Sequence, residues 1–459
     1  MEIAEVLAAS GGRLSGRTGA SFGRLVTNSR CVAGGDLFLA LKGRRYDGND
    51  FIDDAVSRGA TAVICAAGRG LERPGVAFIE VDDTLRALGE IARAHRNRFQ
   101  LPLVAITGTN GKTTTKEMLR AILSTAYPPP TVLANDGNLN NLIGLPMTLL
   151  ELKPRHRVAV VEMGMNAPGE IARLTAIARP GLGLITCIGE GHLEGLGSLQ
   201  GVAAAKGELF AGLAPDATAV VNVDDSLVVE AAKGFSGRRF DYGGAASLSA
   251  DAIDCVSLDR SAFDLVFEDR RARVEMGLGG RHNVDNALGA AAAALALGVE
   301  LETVSAGLGR VKPSAMRMAV ERFDNGVTLV NDAYNANPSS VAAGLDTLSS
   351  AAGPRKIVVL GDMLELGAEA SRLHAEAGRR AAACRPVLLC AVGGFADELC
   401  RGAVEAGMDE RAAVVAADHR AAATAVTKVW KQGDTMLVKG SRGSRMEEIV
   451  ELLREAATE

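Results

Sequence analysis

The chain carries Ile106-Thr-Gly-Thr-Asn-Gly-Lys-Thr-Thr114 between an apolar run at Leu103–Ile106 and a helical pattern that begins at about Lys112. Glycines in such a turn let consecutive backbone N–H groups face one anion, and the helix that follows adds the positive end of its dipole. Lys112 can reach the β- and γ-phosphates of a nucleotide there, and the Thr113 hydroxyl can ligate Mg²⁺. The loop is a compressed form of the P-loop, because Ile106 stands where the usual motif has its first glycine. The stretch therefore predicts an ATP-binding strand, loop and helix.

Apolar runs alternate with helical stretches on the carboxyl side of this loop. The runs that predict buried strands are Arg157–Val161, Leu182–Thr186 and Ala217–Val223, and a proline run at 128–130 ends the first helix near Ala126. Strands that alternate with helices are typical of a parallel sheet with helices on both faces. Shorter alternating runs over residues 245–278 predict antiparallel hairpins appended to that sheet. The expected fold class is α/β.

Two further zones flank this central one. Residues 1–98 mix short strands and helices, with a helical stretch at about Leu85–Arg98. After residue 312, alanine-rich helical stretches separate the strand candidates Thr328–Asn331, Lys356–Leu360, Pro386–Val392 and Thr435–Val438, which indicates a Rossmann-like unit. Because 459 residues exceed what one hydrophobic core usually organises, two or three domains are expected. The pattern divides the chain into 1–98, 99–312 and 313–459.

Charge and composition exclude several classes of protein. Lys and Arg total 50 against 55 Asp and Glu, and the cations are dispersed, so nucleic acid is not expected as a partner. No apolar run approaches the roughly 18 residues of a membrane-spanning helix, and Met1–Leu14 does not resemble a signal peptide, so membrane insertion is not expected. Seven cysteines at irregular spacing form no CxxC pair and are typical of reduced core thiols. A cytoplasmic protein is expected.

Three polar residues follow the predicted strands of the central zone. Glu162 ends the second strand, His192 lies in the loop after the third, and Lys206 lies on an otherwise apolar helix. Ligands of open α/β sheets bind at the carboxyl ends of the strands, so Glu162 can reach a metal near Thr113. Each residue also has a plainer interpretation: a solvated strand-end acid, a structural histidine and a solvated lysine. A buried lysine, however, has its charged form disfavoured, and the neutral amine could add CO₂ to give a carbamate ligand for a second Mg²⁺.

The motifs of the chain, taken in order, resemble those of the Mur ligases. The stretches that carry the resemblance are Gly108–Thr114, Gly137–Asn141, Ile143–Pro146, Val161–Asn166, His192–Ser198, Lys206–Glu208, Gly280–Asn283, Asn331–Pro338, Gly361–Gly367 and Lys439–Arg442. They span nearly the whole chain, and as a set they are highly specific. Asp332-Ala-Tyr-Asn-Ala-Asn337 is most similar to the member of the family that adds a dipeptide.

The resemblance implies a fold, a reaction and its partners. The fold would be three α/β domains: a UDP-sugar-binding domain, a central P-loop domain with a parallel sheet, and a C-terminal Rossmann-like domain. The reaction would join D-alanyl-D-alanine to UDP-N-acetylmuramoyl-tripeptide with cleavage of ATP, through an acyl phosphate, and give a pentapeptide precursor of peptidoglycan. Such a peptide ligase serves cell-wall biogenesis, cell shape and cell division, and a monomer is expected.

The resemblance also assigns roles to single residues. Thr113 and Glu162 would hold one Mg²⁺, and His192 with carbamylated Lys206 would hold a second. The catalytic residues would be Lys112, Glu162, His192, Lys206 and Arg317. The nucleotide would contact Gly108, Thr109, Asn110, Gly111, Lys112, Thr113, Thr114, Asn283, Asn286, Arg317 and Asp332, and the other substrates would contact Ser29, Arg30, Lys42, Asn141, Asn335 and Asn337. Asn283 and Asn286 could instead be helix N-caps, and Ser29 with Arg30 a plain turn with a surface arginine.

Three positions depart from the pattern of the family. Ala333 replaces a serine, Asn28 replaces an aspartate, and Ala315-Met-Arg317 stands where Pro-Gly-Arg is common. Two further stretches, Gly361–Glu365 and Lys439–Arg442, lie at predicted strand ends. They could contact the incoming dipeptide, or they could serve as caps and interdomain contacts.

Three other functions stay open. The neighbouring ligase that adds lysine or diaminopimelate as the third residue normally carries Asp-Asn-Pro-Arg, which this sequence lacks. Folylpolyglutamate synthetase shares the loop type but needs no UDP-binding domain. A P-loop switch or binding protein would bind ATP without dependence on an amine acceptor, and it leaves Glu162, His192 and Lys206 without a role.

Overall fold

Three sheets organise the chain. The computed structural model describes residues 2–15, 22–43, 45–70, 73–244, 246–351, 353 and 355–458, and within these residues it contains sheets of five, nine and six strands. The strands of each sheet are contiguous in sequence, and helices separate many of them, so the expected α/β class is confirmed. All seven cysteines are free thiols. None of the helices in the described part of the chain is both long and apolar enough to cross a bilayer.

The first sheet is built by residues 13–81. Its strands and the helices around it are α1 (Ile3–Ser10), β1 (Arg13–Ser15), β2 (Leu25–Val26), β3 (Leu37–Leu39), α2 (Ile52–Ser57), β4 (Ala62–Ala66), β5 (Ala77–Val81) and α3 (Thr84–Arg96). The strand order is β1-β5-β4-β3-β2, and every pair is parallel except β1 with β5. Asp83 begins α3 by accepting hydrogen bonds from the N–H groups of Leu85 and Arg86, at 2.8 and 3.0 Å. The predicted helical stretch at about Leu85–Arg98 is confirmed.

The central sheet carries the P-loop. Its elements are β6 (Leu103–Thr107), α4 (Lys112–Ala126), β7 (Val132–Ala134), α5 (Gly144–Leu150), β8 (Val158–Glu162), α6 (Glu170–Ala178), β9 (Leu182–Ile185), α7 (Leu193–Leu196), α8 (Leu199–Ala211), β10 (Thr218–Asn222), α9 (Ser226–Ala232), β11 (Arg238–Tyr242), β12 (Leu248–Ser257), β13 (Arg260–Phe267), β14 (Arg270–Met276), α10 (Arg281–Ala296) and α11 (Leu301–Leu308). The order is β14-β13-β12-β11-β10-β9-β6-β8-β7. Strand β13 pairs antiparallel with both of its neighbours, β12 and β14. The predicted strands and the appended hairpins are confirmed.

The strand order places the loop at a crevice. β6 is buried along its whole length and lies between β8 and β9, both parallel to it. The chain leaves β6 toward β7 and β8 on one side and then returns to β9 on the other. Such a reversal separates the connections at the carboxyl ends of the strands and opens a crevice for a ligand there.

The third sheet repeats the doubly wound pattern. Its elements are β15 (Ala319–Arg322), β16 (Thr328–Asp332), α12 (Pro338–Ser350), β17 (Lys356–Leu360), α13 (Ala370–Ala383), β18 (Leu388–Val392), α14 (Ala396–Glu405), β19 (Ala413–Ala416), α15 (His419–Val429), β20 (Thr435–Lys439) and α16 (Glu447–Thr458). The order is β15-β16-β20-β17-β18-β19, and only β15 is antiparallel to its neighbour. The four predicted strands are confirmed. The sequence pattern missed β15 and β19, because both are short, half-exposed edge strands.

Helix α4 packs closely against α11, which stabilises the helix that follows the loop. Its apolar face, with Met118 and Ile122 fully buried, shares one hydrophobic cluster with α10 and α11. Gly307 of α11 lies directly against the backbone of Ile122. The two helices can come this close because glycine has no side chain.

Gly307→Ala should lower the midpoint of thermal unfolding. The new methyl group would lie 2.4 Å from the Cα atom of Ile122, where only a backbone shift can make room. Overpacking of this kind costs about 1–3 kcal/mol. Differential scanning calorimetry measures the effect, and Gly234→Ala is the control, because nothing lies within 4 Å of its added Cβ. Equal midpoints for the two variants would contradict the close packing of α11 on α4.

Candidate active site

The loop between β6 and α4 has no room for a side chain at two of its glycines. Gly108 has a φ of +147° and Gly111 a φ of +79°, a region that residues with a Cβ rarely adopt. A Cβ on Gly108 would come within 1.9 Å of the Thr186 hydroxyl oxygen, and one on Gly111 within 2.0 Å of the Asn286 amide oxygen. The loop is therefore confined between the end of β9 and helix α10.

Two lysines converge on one backbone oxygen of this loop. Nζ of Lys112 donates to the carbonyl oxygen of Gly108 at 2.8 Å, and Nζ of Lys206 donates to the same oxygen at 2.9 Å. Burial lowers the pKa of Lys112. Burial, followed by the nearby charge of Lys112, lowers the pKa of Lys206 well below its ordinary value. The site therefore holds a lysine that is 1% exposed and whose charged form is disfavoured by burial.

Thr113 and Glu162 bring two oxygen ligands together at the start of α4. The Thr113 hydroxyl donates to Oε2 of Glu162 at 2.7 Å, and the Asn140 amide donates to Oε1 at 2.8 Å. Nη2 of Arg317 donates to the Thr113 hydroxyl at 3.0 Å. Asn135 fixes the strand end, since its Oδ1 accepts from the N–H of Glu162 at 2.9 Å. The solvated interpretation of Glu162 does not hold, because this carboxylate is 2% exposed.

The predicted adenine and ribose residues lie at the start of α10 and the end of β16. The Asn283 amide donates to the carbonyl oxygen of Gly279 at 2.7 Å, and the Asn286 amide donates to Oδ1 of Asn283 at 3.3 Å. Neither asparagine caps α10, which follows Gly280 without a side-chain cap. Both line the same cleft as the loop, and so does Asp332.

Helix α12 of the third sheet meets the tip of the loop. The Asn110 amide donates to Oγ of Ser339 at 2.7 Å and to Oδ1 of Asn337 at 3.2 Å, and the Asn337 amide donates back to Oδ1 of Asn110 at 2.8 Å. Asn337 also begins α12, because its Oδ1 accepts from the N–H of Ser340. The side chain of this predicted substrate-binding residue therefore joins the loop to the third sheet.

His192 is held by a carboxylate from the third-sheet side of the cleft. Its Nδ1 lies 2.5 Å from Oε2 of Glu365, and the N–H of Glu194 donates to the carbonyl oxygen of Glu365 at 3.0 Å. The hydrogen bond with His192 holds the pKa of Glu365 below its ordinary value. Nε2 of His192 is the ring nitrogen left for a ligand. The described residues contain no group of three His, Cys, Asp or Glu side chains that could hold a metal by themselves.

The strand-end motifs of the third sheet are largely engaged within the fold. The two carboxylate oxygens of Asp362 accept from the N–H groups of Gly394 and Phe395, at 2.9 and 3.0 Å. Nζ of Lys439 lies 2.5 Å from Oδ2 of Asp332 and is 2% exposed. These contacts favour the capping and structural interpretation of the two residues over contact with a dipeptide.

The remaining predicted residues divide between the cleft and the first sheet. The cleft has a volume of about 810 Å³, and Asn141, Asn335 and Asn337 line it. Among the residues that the structure describes, its lining does not include Ser29, Arg30 or Lys42, which follow the adjacent parallel strands β2 and β3. Asn28 accepts a hydrogen bond from the N–H of Arg30, as the aspartate of the usual motif could.

Asn140, Tyr334 and Glu365 also line the cleft, and the sequence assigned no individual role to any of them. Each lies inside a quoted motif, but its partner is distant in sequence: Glu162 for Asn140, Arg317 for Tyr334 and His192 for Glu365. The signal available from sequence was the presence of a polar or aromatic side chain next to a predicted strand end. That signal does not indicate which loops lie next to each other in the folded protein.

Gly111→Ala should weaken nucleotide binding at least about tenfold, because the new Cβ would displace the Asn286 amide and deform the loop. Isothermal titration calorimetry with ADP measures the affinity. Gly169→Ala is a matched control, since Gly169 has a φ of +84° but nothing lies within 4 Å of its added Cβ. If both variants kept the affinity of the unsubstituted protein, the confinement of the loop would not matter for binding.

Family models match three stretches that together span most of the chain. The Mur ligase family catalytic domain matches residues 23–96, the Mur ligase middle domain matches 106–294, and the Mur ligase glutamate ligase domain matches 316–442. The chain is 37% identical over 439 residues to UDP-N-acetylmuramoyl-tripeptide–D-alanyl-D-alanine ligase of Escherichia coli K12, a match that covers 95% of this chain and 94% of that relative.

Solved structures agree with these matches over the whole fold. A crystal structure of MurF from Acinetobacter baumannii superimposes with a TM-score of 0.90 at 33% identity, and covers 99% of this chain and 98% of that one. MurF ligase from Thermotoga maritima in complex with ADP superimposes with a TM-score of 0.84 at 26% identity, and covers 96% of this chain and 99% of that one. The chain belongs to the Mur ligase family.

Proposed function

We propose that this protein joins D-alanyl-D-alanine to UDP-N-acetylmuramoyl-tripeptide in an ATP-dependent reaction. The observation that carries the proposal is the assembly of Glu162 and Arg317 on the hydroxyl of one P-loop threonine, in a chain whose relatives are named for this ligation. The product is the pentapeptide precursor of peptidoglycan, so the protein serves cell-wall biogenesis and, through it, cell shape and division. We propose the cytoplasm as its compartment and a monomer as its form.

ATP fits the loop for physical reasons. Gly108 and Gly111 allow the positive φ angles that turn the N–H groups of the loop toward one anion, and α4 directs its N-terminus at the same place. Lys112 adds a positive charge at the loop. The start of α10, with Asn283 and Asn286, and the buried Asp332 are proposed for adenine and ribose, and Thr109, Asn110 and Thr114 complete the lining.

Mg²⁺ also fits the donor set. The Thr113 hydroxyl and the Glu162 carboxylate are hard oxygen ligands already in contact, and Mg²⁺ typically binds one or two carboxylates together with phosphate oxygens. Bound there, the ion would neutralise charge on the phosphates. Arg317 reaches the same hydroxyl and adds a second positive charge.

The reaction takes place in two steps on the substrates. A carboxylate oxygen of the tripeptide attacks the γ-phosphorus, and the bond to ADP breaks to give an acyl phosphate. The amine of D-alanyl-D-alanine then attacks the acyl carbon and loses a proton, and inorganic phosphate leaves. Lys112 and Arg317 offset the repulsion between a carboxylate and a triphosphate. A cleft closed by the third sheet excludes water, which protects the acyl phosphate from hydrolysis.

Lys206 is proposed to become a carbamate. CO₂ adds to a neutral amine with loss of a proton, and two lysines that share the Gly108 carbonyl oxygen favour a neutral Lys206. The carbamate replaces a repelling positive charge beside Lys112 with an attractive negative one. Its oxygens, with Nε2 of His192, would hold a second Mg²⁺.

The first sheet is proposed to bind the UDP end of the substrate. Ser29, Arg30 and Lys42 lie where adjacent parallel strands end, and arginine suits a diphosphate by its bidentate geometry. Asn141, Asn335 and Asn337 line the cleft between the P-loop and the third sheet, where the peptide end would lie. On this proposal the domains are 1–98 for the UDP sugar, 99–312 for ATP and 313–459 for closure over the site.

Phosphate release from ATP and Mg²⁺ should require UDP-N-acetylmuramoyl-tripeptide and D-alanyl-D-alanine together. A coupled phosphate assay measures the rate, and mass spectrometry should find a product heavier by the dipeptide. Lys112→Met provides the background rate, since it removes the ammonium at the loop. Release triggered instead by a free amino acid and a shorter UDP substrate would move the protein to a neighbouring step of the same pathway.

Lys206→Ala should lower kcat about 100-fold, and short carboxylates such as acetate should restore part of it, because a carboxylate can take the place of the carbamate oxygens. In the unsubstituted protein, added bicarbonate and higher pH should raise the carbamylated fraction, since only the neutral amine reacts with CO₂. Lys233→Ala is the control, because that side chain is 65% exposed. Full activity in Lys206→Ala, unaffected by carboxylates, would exclude the carbamate.

A further inference from the structure

A short turn of unusual backbone conformation carries Arg317 toward the P-loop. Met316 and Met318, on either side of this arginine, have φ angles of +58° and +51°. Residues with a Cβ rarely adopt positive φ, and such a conformation persists only where the surrounding structure holds it. The contacts of the turn therefore show what keeps the arginine in place.

Residues 332–334, at the end of β16, contact every residue of the turn. The N–H of Tyr334 donates to the carbonyl oxygen of Met316 at 3.1 Å, and the N–H of Met318 donates to Oδ1 of Asp332 at 3.1 Å. The guanidinium carbon of Arg317 lies 4.0 Å from the centroid of the Tyr334 ring. Two contacts fix the backbone of the turn, and the third fixes the side chain.

Asp332 is itself held from a second direction. Its Oδ2 accepts from Nζ of Lys439, which also donates to the carbonyl oxygen of Asn335 at 2.9 Å. Both Asp332 and Lys439 are buried. Buried side-chain contacts therefore hold this strand end, and Tyr334 is the residue of it that touches the guanidinium.

Arg317 crosses from this strand end to the central sheet. Its Nη2 donates to the Thr113 hydroxyl at 3.0 Å, and that hydroxyl in turn donates to Glu162. A guanidinium on an aromatic face keeps its N–H groups free at the edge, so the stacked arginine can still donate to Thr113. The part of Tyr334 that contacts the guanidinium is the face of its ring.

We propose that Tyr334 is a positioning residue that holds the guanidinium of Arg317 on the Thr113 hydroxyl. The inference rests on the proposed ligase function, because it assigns the arginine to the place where negative charge develops during phosphoryl transfer. Small displacements of such a group lower the rate strongly, while the binding of ATP to the loop depends on other contacts. Tyr334 therefore acts on kcat through Arg317.

The test compares aromatic and non-aromatic replacements of Tyr334 in the full-length protein. Tyr334→Phe and Tyr334→Trp keep a ring face, whereas Tyr334→Leu and Tyr334→Gln remove it. Each replacement is made in the protein with Arg317 and in an Arg317→Met background. The methionine side chain has a similar length but carries no positive charge. Phosphate release gives kcat and the KM for ATP, with product mass spectrometry for slow variants, and ADP affinity and the thermal midpoint report folding.

With Arg317 present, the aromatic variants should stay within about twofold of the unsubstituted kcat, and the non-aromatic ones should fall about tenfold or more with little change in the KM for ATP. In the Arg317→Met background the difference between aromatic and non-aromatic variants should disappear. Two non-aromatic replacements are used so that one that fails to fold does not decide the result.

Three outcomes would overturn the inference. Equal kcat values for Tyr334→Phe and Tyr334→Leu would show that the aromatic ring does not contribute to catalysis. A loss that persists in the Arg317→Met background would show that Tyr334 acts independently of Arg317. A raised KM for ATP in both backgrounds would indicate that the ring contacts the nucleotide directly. An unsubstituted protein that releases no phosphate in response to the dipeptide would instead refute the proposed function, which is a separate result.

Discussion

The carbonyl oxygen of Gly108 accepts hydrogen bonds from two lysines at once, and the loop around it has no room for a side chain at either glycine. The end of β9 and helix α10 close in on the loop from both sides, so its backbone is tightly confined. That conformation sets where Lys112 and Lys206 meet and where α4 begins. The electrostatics of the site follow from this backbone conformation, because two ammonium groups that share one carbonyl oxygen repel each other.

Polar pairs join the central and third sheets around the cleft. Asn110 pairs with Asn337, Thr113 with Arg317, and His192 with Glu365. In each pair one partner lies beside the P-loop and the other on the segments around the third sheet. Apolar residues of both sheets also belong to one buried cluster, among them Leu193 and Leu366. The polar pairs bring charged and amide groups of both sheets to the same cleft.

Much of this could be predicted from the sequence, because a buried parallel strand is a strong local signal. The strands β6, β8 and β9 place the loop, Glu162 and His192 at one sheet edge, and the alternation of the hairpins marks β12 to β14. The edge strands β15 and β19 gave no such signal, because half-exposed strands lack a continuous apolar run. Contacts between separate loops also lay beyond prediction. Glu365 and Tyr334 are ordinary loop residues until the fold sets them against His192 and Arg317.

One departure from the family pattern, Met316 in the place of a glycine, affects the turn that carries Arg317. Where a glycine is common, the positive φ at this position has no steric cost, so the turn needs little support. A methionine with positive φ carries a steric cost, so the turn depends on contacts with the surrounding structure. Asp332 and Tyr334 supply these contacts, because they hold both flanks of the arginine. The strand end of the third sheet thus offsets the loss of the glycine, and the arrangement at Thr113 depends on residues of two sheets rather than on the P-loop alone.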